Sequence, residues 1–260
     1  MNPLMGQALG SAALLGAVIR PLLVATVLFG LWHALARAKV GARRRLLTWG
    51  TVASVLIVWV TLVWTLAARG VLAPVAGAQV YSAGMIVAPT VVLVAVALTL
   101  LTRSATVTAA IDAAPLWWLV AYQAYRVAGF VFVRLWSQGL LPGYFALPAG
   151  IGDALTGAFS VLVVAAFLRN WSSARALAYA VNIFGMVDLL NAISIGVLST
   201  IVSSATQISP MLLYPLVIVP SFGVPLAFII HSLSIWQLRR RDRISTTAAV
   251  YADAEMQKTG

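Results

Sequence analysis

Cysteine is absent from the 260-residue chain. That excludes disulfides, zinc–thiolate sites and thiol chemistry, and leaves nothing to report on the redox compartment. Charge is scarce as well: 9% of residues are charged and 62% are hydrophobic, where an ordinary soluble domain carries roughly a quarter charged residues. A globule of this size could not keep its surface wet with so few charges, so the lipid bilayer is the solvent expected for much of it. The only lysines, Lys39 and Lys258, lie outside the apolar runs, which excludes a retinal-type Schiff base inside a helix bundle. AGIGDALTG (149–157) is not a GxGxxG loop and follows no strand. No acidic or histidine cluster has metal-ligand spacing, and no cofactor is called for. The first 20 residues lack a cationic stretch ahead of their apolar run, which argues against a cleaved signal peptide.

Present in abundance are apolar segments. Seven are about 20 residues long, enough to cross a hydrocarbon core of about 30 Å: approximately 14–36, 46–68, 80–101, 116–137, 148–168, 176–199 and 211–238. Arg20 and Pro21 fall in the first turns of the first span, where proline is tolerated. The fold class is all-α, with residues 1–238 as one seven-helix transmembrane domain and 239–260 as a short polar cytoplasmic tail. The net charge of +11 resembles a nucleic-acid signal, but its placement speaks against nucleic acid. Arg37, Lys39, Arg43, Arg44 and Arg45 form one cluster beside an apolar run, and Arg239, Arg240, Arg241 and Arg243 form another. With the N-terminus outside, thirteen of the seventeen basic residues fall on the inner side, as the positive-inside rule requires. Eight of the nine tryptophans fall near predicted span ends, the headgroup level that indole prefers. ARGVLAP from Ala68 and SQGLLPG from Ser137 are alike and hint at a duplicated hairpin.

Ionisable side chains at membrane depth cost at least about 2.5–3.5 kcal/mol each and usually pair inside the bundle. Arg126 lies about ten residues from either end of the fourth span, too deep to snorkel easily, whereas Arg134 is near the outer end. Two aspartates lie within spans, Asp153 near the outer start of the fifth and Asp188 about midway along the sixth. Depth counted along the helices pairs Arg126 with Asp188 and Arg134 with Asp153; Arg126 with Asp153 stays open. Gln123, Arg126 and Gly129 follow one side of the fourth span, and Gly185, Asp188 and Asn191 one side of the sixth. Gly150, Ala154 and Ala158 recur every four residues, a period that lets helices approach closely.

These residues give a candidate ligand-binding set of Gln123, Arg126, Arg134, Asp153, Asp188 and Asn191, set against a purely structural reading as ion pairs and packing. The apolar connector GLLPGYFALP (139–148) is either re-entrant or a tight surface turn with Tyr144 and Phe145 in the headgroups. Pro215, Pro220 and Pro225 break the last span, as in helices that line transporter sites and also in ordinary membrane helices. His33 and His231, both in the inner half, admit a bis-histidine haem or a hydrogen-bonded structural role.

YQAYRVAGFVFVRLWSQGLLPGYFALPAGIGDALTG and YPLVIVPSFGVPLAFIIHSLSIWQL resemble a group of small, uncharacterised integral membrane proteins of bacteria. The matching features are Arg126, Gly139 with Pro142, Gly152 with Asp153, and the Val219–His231 pattern, over roughly the second half of the chain. The resemblance implies a multi-pass protein of the bacterial cytoplasmic membrane and names no reaction. Three functions are therefore carried forward: a protein that binds or passes a small solute or ion through an Arg/Asp-lined pocket, a non-catalytic scaffold or sensor subunit, and a haem-binding redox protein.

Overall fold

The computed structural model describes residues 3–73, 79–202 and 211–259. They are almost wholly helical: α1 (Pro3–Arg37), α2 (Ala42–Ala68), α3 (Gln79–Arg103), α4 (Ala105–Ala113), α5 (Leu116–Ala121), a 3-10 stretch (Tyr122–Phe130), α6 (Val131–Ser137), α7 (Gly143–Leu168), α8 (Ala174–Val202), a π turn (Val219–Gly223) and α9 (Val224–Thr259). Six continuous helical segments are long and apolar enough to cross a membrane, and a seventh is obtained if α3 and α4, bent by 82°, count as one span.

Helix ends follow a common rule. After α2, the Gly70 amide donates to the Ala67 carbonyl and the Val71 amide to Leu66. After α6, Gly139 donates to Trp136 and Leu140 to Leu135. Both glycines have φ near +70°, the left-handed conformation this cap requires and glycine adopts without strain. The likeness of ARGVLAP to SQGLLPG is thus accounted for by a shared helix stop, with no need for duplication. Lys39 and Asn170 close α1 and α7 in the same way with φ of 55°.

Five expectations change. α1 begins well before residue 14, so Pro21 lies inside a 35-residue helix rather than in its first turn. α7 begins at Gly143 behind Pro142, so 143–148 belongs to the helix and only a short turn precedes it. There is no re-entrant segment there: Phe145 is buried against Phe132, while Tyr144 is exposed. α4 is an additional helix inside what reads as a loop, begun by Ser104, whose side chain accepts from the Val107 amide. The last span starts near Val219 rather than 211, because Pro215 and Pro220 cannot supply the amides a regular helix needs. Finally, the polar segment after 238 continues α9 without a break through Thr259.

The interior is mostly apolar, but large apolar side chains also face outward and polar ones are buried. Val18, Leu22 and Phe29 on α1, Val55, Val58 and Leu62 on α2, and Val91, Val92 and Leu100 on α3 are all exposed. Gln123, Arg126, Thr156, Ser160, Asn182, Asp188, His231, Ser234 and Gln237 are all buried. Large exposed apolar faces require a non-aqueous or protein partner, and buried polar groups must find partners within the bundle.

Close packing of α7 on the 3-10 stretch sets the interior. A Cβ on Gly157 would stand 2.5 Å from the Val127 amide nitrogen, and one on Gly150 would stand 3.1 Å from the Gly129 carbonyl. The small-residue stripe is therefore Gly150 and Gly157, seven apart, and Ala158, expected on that face, is exposed.

A buried arginine held by two aspartates

The 3-10 stretch explains why Gln123, Arg126 and Gly129 act together. At three residues per turn, side chains three apart stand directly above one another. All three face inward: Gln123 and Arg126 are buried, and a side chain at Gly129 would collide with Asp153. Gln123 donates from Nε2 to the Ala227 carbonyl at 3.3 Å, tying this face to α9.

Arg126 is 2% exposed and uses its whole guanidinium. Nε donates to Asp153 Oδ1 at 2.7 Å, and Nη2 is also 2.7 Å from that oxygen. Nη2 donates to Asp188 Oδ2 at 2.5 Å. Nη1 donates to the Gly185 carbonyl at 3.2 Å and to His231 Nε2 at 3.1 Å. A guanidinium has five N–H donors; four make these hydrogen bonds, and Nη2 adds the ion-pair contact with Asp153. Both candidate pairings of Arg126 are therefore realised at once.

The His231 tautomer follows from donor and acceptor rules. Arginine only donates, so Nε2 of His231 accepts and its proton sits on Nδ1, which donates to Asn182 Oδ1 at 2.8 Å. Asn182 Nδ2 in turn donates to Ser234 Oγ at 2.9 Å and to the Ala178 carbonyl at 2.7 Å. A directed chain thus runs from Arg126 through His231 and Asn182 to Ser234, all buried. It holds the imidazole neutral beside a cation and gives both ring nitrogens protein partners.

Three glycines make the cluster possible. Gly129 admits Asp153, Gly152 admits the Asp188 carboxylate, and Gly185 admits His231 and Arg126; any Cβ at these positions would overlap the side chain it faces. The Gly–Asp pair at 152 and 153 therefore serves both carboxylates, one as its neighbour in sequence and one as its neighbour in space.

Two clefts flank the cluster. One, of about 110 Å³, is walled by apolar residues including Phe132, Phe145, Leu189 and Met211, with Asp153 and Asp188 in its lining and no cation. It has room for several waters or one small organic molecule. The other, of about 140 Å³, reaches Asp153 from the α1 side and is lined by Arg20, Tyr125 and Phe222 among others. Among the described residues, no three His, Asp or Glu side chains gather where a metal ion could sit.

Three of the six candidate residues do not join the cluster: Gln123 bonds the Ala227 carbonyl and lines neither cleft, and Arg134 and Asn191 face elsewhere. Arg134 is exposed and has no carboxylate within ion-pair distance among the described residues. The expected Arg134–Asp153 pair fails because the 3-10 winding advances about 120° per residue rather than about 100°, which rotates residue 134 to roughly the opposite face from residue 126. Asn191 is also exposed. Three-residue steps on an α-helix drift by about 60° each, so the face through Gly185 and Asp188 continues at Leu189 and Ala192, not at Asn191. The histidines are likewise not paired with each other: His33 is exposed and its Nδ1 bonds the Phe29 carbonyl at 2.9 Å, while His231 belongs to the arginine cluster.

Sequence reasoning missed Asn182 and Ser234. Walking back three residues from Gly185, or forward three from His231, reaches them. It also missed a second network about midway along α9. Arg240 holds Asp112 of α4 through two bonds of 3.0 and 2.6 Å, and Arg241 donates to the Asp112 carbonyl. Asp242 takes Arg175 and the Tyr179 hydroxyl, the latter at 2.7 Å. Asp112 lay in what read as a loop, so nothing marked it as a partner.

No curated protein and no solved structure matches the chain. The model of one family, described as a domain of unknown function (DUF8737), matches residues 80–239, a range that contains Arg126, Asp153, Asn182, Asp188, His231 and Ser234. The protein thus belongs to the DUF8737 family, whose matched region carries the whole arginine cluster.

Proposed function

We propose that this is a multi-pass membrane protein, N-terminus outside and C-terminus in the cytoplasm, that binds one small positive charge at Asp153 and Asp188. The charge is a proton or a small organic ammonium entering the 110 Å³ cleft. The observation that supports this is a charge count: two carboxylates, Asp188 buried and Asp153 partly buried, share one guanidinium that already makes four hydrogen bonds. With His231 neutral, the ionised cluster carries one uncompensated negative charge. Leaving a charge uncompensated in a low-dielectric interior costs several kcal/mol, so the site favours taking up a cation. Both carboxylates line the cleft while Arg126 does not.

The same count alters the expected ligand. An accessible arginine pair would favour an anion, but Arg126 is buried and already makes four hydrogen bonds, and Arg134 faces away. A bacterial inner-membrane location agrees with the basic clusters on one side of the spans.

The test is a linkage measurement. Adding a lipophilic ammonium to purified, weakly buffered protein at neutral pH should release a proton, because both cations compete for one site. The Asp153→Asn and Asp188→Asn variants should bind the ammonium much more weakly and release no proton. Equal ammonium binding in the wild type and both variants would rule the reading out.

A further inference from the structure

The basic cluster at the α1–α2 turn divides into two groups. The Arg37 guanidinium lies 5.4 Å from the ring centre of Trp118, and that of Arg45 lies 4.0 Å from Trp32. These two cations are engaged with indole faces. The other three, Lys39, Arg43 and Arg44, are exposed and make no ion pair among the described residues. All three line one cleft of about 740 Å³ whose opposite wall is the first turn of α4, at Ala105 and Thr106.

Among the described residues, no acidic side chain lines this cleft. Ser104 caps α4 by accepting from the Val107 amide, which leaves the first-turn amides of Ala105 and Thr106 without intrahelical partners. The positive end of a nine-residue helix thus adds to three side-chain cations. The depth is also defined. The cleft sits where the apolar runs of α1 and α2 meet the turn between them; exposed Leu47 lines it with the three cations, and exposed Leu46 is its neighbour in sequence. A ligand there meets hydrocarbon on one side and cations on the other.

We propose that this cleft binds the phosphate of an acidic phospholipid, with Lys39, Arg43 and Arg44 on the phosphate oxygens and an acyl chain along Leu46 and Leu47. The site is separate from the arginine cluster and does not depend on its function.

The full-length protein in neutral detergent should be titrated with phosphatidylglycerol, phosphatidylcholine and inorganic pyrophosphate, with bound lipid counted by native mass spectrometry. Phosphatidylglycerol should bind, phosphatidylcholine should bind far more weakly, and pyrophosphate should compete poorly. Lys39→Gln, Arg43→Gln and Arg44→Gln together should weaken phosphatidylglycerol roughly a hundredfold, at about fivefold per cation near a membrane surface, whereas Arg134→Gln should leave it unchanged. Thr106→Glu guards against loss of fold: an acid in the first turn favours the helix but repels a phosphate, and should weaken the lipid about fivefold. Equal binding of both lipids, or unchanged phosphatidylglycerol affinity in the triple variant or in Thr106→Glu, would overturn the assignment. So would pyrophosphate binding as tightly as lipid, which would make the occupant a soluble phosphate.

Discussion

Gly185→Ala and Gly196→Ala make the same chemical change on one helix, and the structure assigns them opposite effects. A Cβ at 185 would lie 2.5 Å from His231 Nε2, 2.6 Å from Cε1 and 2.9 Å from Arg126 Nη1. Ordinary contact begins near 3.4 Å, so the imidazole must retreat by close to 0.9 Å. That movement is taken from a bond of 3.1 Å to Arg126 on one side and one of 2.8 Å to Asn182 on the other. Overpacking costs about 1–3 kcal/mol, and weakening a hydrogen bond to a charged group about 1.5–3 kcal/mol. The better helix propensity of alanine offsets about 1 kcal/mol, leaving a net loss of about 1.5–5 kcal/mol. At Gly196 no atom of the described residues lies within 4 Å of the added methyl, so no overpacking by them opposes a propensity gain of up to about 1 kcal/mol. Equilibrium unfolding in mixed micelles, following near-ultraviolet circular dichroism, should separate the two variants by several kcal/mol. Equal shifts would mean that His231 and Arg126 are not packed against Gly185, and the donor accounting around Arg126 would fail with it.

Three further outcomes follow from the charges. Arg126→Met leaves the buried Asp188 and the partly buried Asp153 unpaired and should destabilise by about 3–5 kcal/mol; adding Asp153→Asn and Asp188→Asn should recover most of that loss, measured by the same unfolding titration. Arg134→Gln should change stability by no more than about 0.5 kcal/mol, because the side chain is exposed and unpaired. A double-mutant cycle of Asp112→Asn with Arg240→Gln should give a coupling of only about 0.2–1 kcal/mol, since both side chains are partly open to solvent.

What the sequence revealed and what it hid have physical reasons. Arg126 and the two aspartates stand out because an ionisable group in an apolar run is conspicuous wherever it points. Their connectivity was less legible. It depends on a 3-10 winding across 122–130 that no residue between Tyr122 and Phe130 announces, and that winding turned Arg134 away. Asn182 and Ser234 are polar residues of moderate cost in membrane helices, so neither drew notice until His231 was placed between them. Asp112 was hidden for another reason: α4 is short and bent sharply from α3, and hydropathy alone reads such a piece as a connector. The glycines at 129, 152 and 185 look like ordinary membrane-helix glycines, and only the positions of the facing side chains show that each admits one charged or hydrogen-bonded partner.

The central claim is that Arg126 balances only one of the two carboxylates it holds, so a second positive charge completes the site. Infrared difference spectroscopy of the purified protein, with no small organic cation present, tests this most directly. The account predicts a protonated-carboxyl stretch at neutral pH that is lost in Asp153→Asn or Asp188→Asn. A spectrum in which both aspartates are ionised at neutral pH, with no cation bound, would contradict it.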